Sequence, residues 1–127
     1  MQQYEQLIEA LTDMPLKIKD LQITVLNKNE ESQKVSNEVS KLEAKIKAEI
    51  NASTDANGKK LYSNAEMREA ELVERTSGDL EIIGLKEKHD TLLREIAEAR
   101  LDVEMLSNQQ RNTRTLLDFF AAFKEQI

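Results

Sequence analysis

Residues 51–64 read N-A-S-T-D-A-N-G-K-K-L-Y-S-N, and this stretch decides the fold because everything on either side of it has a helical period. Side chains that compete with helix are concentrated here, and Asn57-Gly58 is a strong turn pair. The chain is expected to reverse at this point. Ser63, followed three residues later by Glu66, reads as a capping box that starts the next helix.

Working back from the connector, Tyr4, Leu7, Leu11, Met14, Ile18, Leu21, Val25, Lys28, Ser32, Val35, Val39, Leu42, Ile46 and Glu49 follow one another in steps of three and four. A step averaging about 3.5 residues keeps one stripe facing a partner helix in a left-handed supercoil. This predicts a first helix over about 3–50. Pro15 interrupts it with a break or kink, and a restart capped by Thr12 or Asp13 is the favoured form. Working forward, a second seam runs through Ile82, Leu85, His89, Leu92, Ile96, Ala99, Val103, Leu106, Gln110, Thr113, Leu117, Phe120, Lys124 and Ile127. It predicts a second helix over about 65–125, with a break near 76–79 where Thr76 serves as a new cap and Asp79 suits a helix start.

The fold class expected is therefore all-α: a single domain over 1–127 in which two long helices form an antiparallel coiled-coil hairpin about the loop 51–64. Folding about Asn57-Gly58 pairs residues whose numbers sum to roughly 116, to within about one helical turn. Val25 then meets Leu92, Leu21 meets Ile96, Ile18 meets Ala99, Met14 meets Val103 and Leu11 meets Leu106. Lys28, Ser32 and His89 form a polar layer that sets register. The same register leaves the second helix overhanging the first. Its last residues hold Leu116, Leu117, Phe119, Phe120, Phe123 and Ile127, an apolar patch that calls for cover by further copies, by a different protein or by the N-terminal segment before Pro15. A two-helix hairpin buries one seam only, so self-association into a four-helix or larger assembly is expected.

Composition agrees. Of 127 residues, 39% are hydrophobic and 33% charged, with no Trp, one Pro and three Gly, as in long helices with wet outer faces. The absence of Cys excludes disulfides and thiolate chemistry. Gln2, Gln3 and Glu5 stand where a secretion signal has positive charge, and no apolar run reaches membrane-spanning length, so a cytoplasmic protein without membrane contact is expected. A net charge of −6 argues against direct nucleic-acid binding. Residues 65–110 carry twelve acids against six bases, so the second helix is the acidic one.

Candidate chemistry is sparse. His89 is the single histidine and reads as part of the polar layer rather than as a pH switch. Asp55-Ala56-Asn57-Gly58 matches the opening of a calcium loop without its remaining ligands. No metal, cofactor or catalytic set is expected, and the chain reads as a non-enzyme. Function then rests on surfaces. The loop, with Asn57, Gly58, Lys59, Lys60 and Tyr62, and the acidic face are the candidates for a protein partner.

Residues 55–72, D-A-N-G-K-K-L-Y-S-N-A-E-M-R-E-A-E-L, resemble a segment of small coiled-coil proteins encoded by phages and prophages. Asp55, Asn57, Gly58, Lys59, Lys60, Tyr62, Ser63, Asn64, Arg68 and Glu69 carry the resemblance. It implies a phage accessory role in the bacterial host cytoplasm, with the loop as the distinctive surface. The alternative reading is an acidic inhibitor of a host nucleic-acid enzyme, in which Glu66 to Glu104 imitate phosphates.

Overall fold

The computed structural model describes residues 2–125 and is helical, without a named strand among them: α1 spans Gln2–Ala52, α2 Ala65–Gly78 and α3 Leu80–Glu125. Helices α1 and α3 pack against each other. Two compact units share them, one formed by the chain up to Asn29 with the chain from Arg94 onward, the other by Glu30–Leu93.

Helix α1 continues through Pro15 instead of restarting there. Proline removes one ladder hydrogen bond and crowds the preceding turn, at a cost of about 3 kcal/mol in a helix interior. Pro15 is exposed, so the gap lies on the wet side, while the half-buried Leu11, Met14 and Ile18 hold the apolar side of α1 on both flanks. Neither Thr12 nor Asp13 serves as a cap. The Thr12 hydroxyl instead donates back to the Ile8 carbonyl at 3.0 Å, within the turn before the proline.

The start of α2 is set by Asn64, not by a Ser63 capping box. Asn64 is extended (φ −129°, ψ 165°), and its side-chain oxygen accepts from the Met67 amide at 2.8 Å. The Asn64 carbonyl accepts the first helical bond, from Arg68. Helix begins at Ala65 as expected, but its cap is one residue later than Ser63, which leaves the Ser63 hydroxyl beside the Met67 sulfur. Between α2 and α3 only Asp79 is non-helical. Its carboxylate accepts from the amides of Glu81 (2.9 Å) and Ile82 (3.1 Å), so Asp79 itself caps α3. The Thr76 hydroxyl donates to the carbonyls of Leu72 and Val73, which occupies it inside α2 and rules it out as the new cap.

In the unit formed by Glu30–Leu93 the core is Val35, Ile50, Ile82 and Leu92, with Ser32 buried among the polar residues. Lys86 pairs with Glu43 at 3.5 Å and Lys88 with Glu31 at 3.4 Å. Such exposed pairs contribute at most about 1 kcal/mol each, and their value here is to report alignment. In the other unit Ile96, Ala99 and Thr113 are buried. Thr113 tolerates burial because its hydroxyl donates to the Gln109 carbonyl at 2.7 Å. Among the described residues no buried side-chain nitrogen or oxygen lacks a partner.

In the unit Glu30–Leu93 the pair Glu31 with Lys88 keeps the expected register to within a turn, whereas in the unit that joins the chain up to Asn29 with the chain from Arg94 onward the register differs. A sum of 116 places residue 88 opposite Lys28; the structure pairs Lys28 with Glu95, seven residues further, which is about two helical turns. The same shift reappears at the far end of that unit. Leu7 shares a groove with Leu116 and Phe120, not with Gln110. The expected overhang of α3 is correspondingly shorter, and the first helix reaches the residues that were to stand alone. The physical reason lies in the connector. Helix pairing is governed by side-chain interlock and by the added break at Asp79, neither of which is centred on the Asn57-Gly58 turn.

Candidate interaction surfaces

The loop is a built structure, and Asp55 builds it. The Gly58 amide donates to the Asp55 carbonyl at 3.1 Å, and the Asp55 amide donates to the Lys59 carbonyl at 2.8 Å. An isolated antiparallel bridge joins Thr54 to Lys60, and the Leu61 amide reaches the Ser53 carbonyl. Gly58 has φ +79°, the left-handed position that follows a type I turn in a bulged three-residue connection. The Asp55 carboxylate accepts from the amides of Asn57 (2.8 Å) and Lys59 (2.9 Å), tying the turn from the inside. Asn57, Gly58, Lys59 and Lys60 are thereby held exposed at the tip.

Tyr62 is half-buried and anchored by α2. The Arg68 guanidinium donates to the Tyr62 carbonyl at 3.2 Å, and the Arg75 guanidinium lies 5.9 Å from the centre of the Tyr62 ring. Arg75 also donates to Glu71 at 2.7 Å. The hydrogen bond to Glu71, and then that to Tyr62, raises the Arg75 pKa above its ordinary value. The charged form of the guanidinium is favoured. Beside it, a groove of about 240 Å³ runs between the end of α1 and the start of α2, with Lys47, Ile50, Arg68, Glu69 and Leu72 among its walls.

At the other candidate patch, Leu116, Phe119, Phe120 and Phe123 are exposed and Leu117 is half-buried. Phe119 and Phe120 meet edge to face, with ring centres 6.1 Å apart. Phe120 and Leu116 form one wall of a groove of about 350 Å³ whose other wall is Gln3, Gln6 and Leu7. Ile127 lies outside the described residues.

The residues expected in the polar layer are each at least partly covered. Lys28 has Glu95 as its partner, Ser32 is buried, and His89 is half-buried with Nδ1 4.0 Å from the Asp90 carboxylate, beyond hydrogen-bonding range. Among the described residues no group of three or more His, Asp or Glu side chains is placed to hold a metal ion. No described helix is long and apolar enough to cross a membrane.

Sequence reasoning missed Asp55 as the organiser of the loop, and Arg68 and Arg75 as the clamps on Tyr62. A signal for each was present: Asp two residues before Asn-Gly is an Asx-turn pattern, and Glu71 and Arg75 stand four apart on a helix face. No family model, curated protein or solved structure matches this chain.

Proposed function

We propose that this chain is a non-enzymatic, self-associating helical protein. In this reading it forms an antiparallel coiled-coil hairpin that offers its ordered loop and its acidic face to a protein partner. The observation that carries the proposal is the surplus of apolar surface. Sixteen large hydrophobic side chains are exposed among the described residues, against six buried hydrophobic ones. Surface of that kind is ordinarily covered by protein.

The antiparallel arrangement draws support from the order of the contacts within each unit. Lys28 pairs with Glu95 while the earlier Leu7 shares its groove with the later Leu116 and Phe120. In the other unit Glu43 pairs with Lys86 and the earlier Glu31 with Lys88. The likeness of residues 55–72 to phage-encoded coiled-coil proteins favours an accessory role for a phage in the bacterial cytoplasm. Light scattering over a range of concentrations tests the proposal: a defined mass above 14.6 kDa is expected. A monomer at every concentration overturns self-association.

A second reading has one observation in its favour. Residues 65–110, which include the stretch from Glu66 to Glu104, carry twelve acids against six bases. As a phosphate mimic the chain would inhibit a nucleic-acid enzyme in a manner that fades with added salt. Glu71 and Glu95 are poor probes of this, since Arg75 and Lys28 hold them. Glu74 and Glu98 are exposed, and their change to Lys is the discriminating test.

A further inference from the structure

The exposed apolar residues of the unit that joins the chain up to Asn29 with the chain from Arg94 onward are not scattered. On α1, apart from Tyr4 near its start, they are Ile8, Leu16, Ile23 and Leu26, in steps of eight, seven and three. At about 100° per residue they occupy an arc of roughly 80°. On α3 they include Leu101, Met105, Leu116, Phe119 and Phe123, which by the same count fall within roughly 60°. The arc is turned roughly 140° from the covered side on α3, marked by Ile96, Ala99 and Thr113, and roughly 120° on α1, marked by the half-buried Leu11, Ile18 and Val25. Each helix therefore carries two apolar stripes, and the second stripe is in water.

We infer that these second stripes are the contact surface for further copies of this same chain, so that the assembly interface runs along both helices and is not confined to the terminal phenylalanines. The inference rests on the self-association proposed above and names the face that does it. Three observations favour a second copy as the occupant. Nine side chains, each about half exposed and of roughly 150–200 Å², offer on the order of 800 Å² over the two stripes together, so that copies covering both would bring each chain to the area that a partner gives to a stable interface. The unit holding them has ten acids and eight bases, close enough to balance that identical copies do not repel, while most of the excess acid lies in the other unit. The gaps in the stripes are filled by polar residues at the same spacing: Thr12 and Lys19 on α1, Asn108 and Asn112 on α3. Asparagine within an apolar helical stripe is a recognised means of fixing register and copy number between helices.

The test measures the mass of the full chain by sedimentation equilibrium beside two variant pairs, Leu16→Glu with Leu26→Glu, and Leu101→Glu with Met105→Glu. All four positions are far from Phe119, Phe120 and Phe123 in sequence, and all four side chains are exposed, so the helices should persist, as judged by circular dichroism. The expected result is at least twice 14.6 kDa for the unaltered chain, and monomer or at least tenfold weaker association for each pair. Matching Gln pairs should weaken association too, which separates lost apolar contact from added charge. If the chain assembles and neither pair alters its mass, self-association stands and the stripe inference falls; loss in one pair alone overturns the claim for the other stripe. If the unaltered chain is monomeric throughout, both proposals fail together.

Discussion

Replacing Ile82 by alanine should cost this chain much more stability than replacing Leu80, although the two stand two residues apart at the start of α3. Ile82 is 0% exposed and Leu80 84% exposed. Truncating a buried isoleucine removes three carbons from contact and leaves a cavity, at about 2–5 kcal/mol. The lower half of that range is expected, because α3 has just begun at Asp79 and its first turn can relax: about 3 kcal/mol. For a chain of this length each 1 kcal/mol moves the melting temperature by about 3–5 °C, so Ile82→Ala should lower it by about 10–15 °C. Leu80→Ala removes side chain already in water and should stay within about 0.5 kcal/mol, or about 2 °C. Both variants and the parent are to be melted by circular dichroism at one protomer concentration, since association would otherwise shift the midpoints. Equal losses in the two variants would refute the reasoning, because they would show that burial does not set the two positions apart.

Two further outcomes follow from the loop and the register. Gly58→Ala meets no atom within 4 Å of the added carbon, so its cost is that of the left-handed backbone alone, about 1–2 kcal/mol, read as faster amide exchange at Lys59 and Leu61. Because the chain has no native cysteine, Leu7→Cys with Leu116→Cys should form an intramolecular disulfide on mild oxidation. Leu7→Cys with Gln109→Cys, the pairing required by a sum of 116, should not.

The helical class, the position of the connector and the presence of two apolar seams were legible in the sequence, because each depends on local chemistry. A seam in steps of three and four can be read residue by residue, and Asn57-Gly58 marks a turn whatever surrounds it. Where local signals compete, the sequence could not choose between them. Ser63 and Asn64 are both good caps, and so are Thr76 and Asp79. Which one acts depends on where the backbone leaves the helical region, and in both cases the later residue does.

Tertiary structure alone decided three things. Pro15 stays inside α1 because it is exposed while the residues around it are partly covered, and no property of proline itself announces that. Lys28 takes Glu95, and the first helix reaches Leu116 and Phe120, because alignment between two helices is a long-range choice with many near-equivalent settings one turn apart. The contrast between Ile82 and Leu80 has the same origin: both are aliphatic, two residues apart, and only the packing of α3 determines which one leaves water.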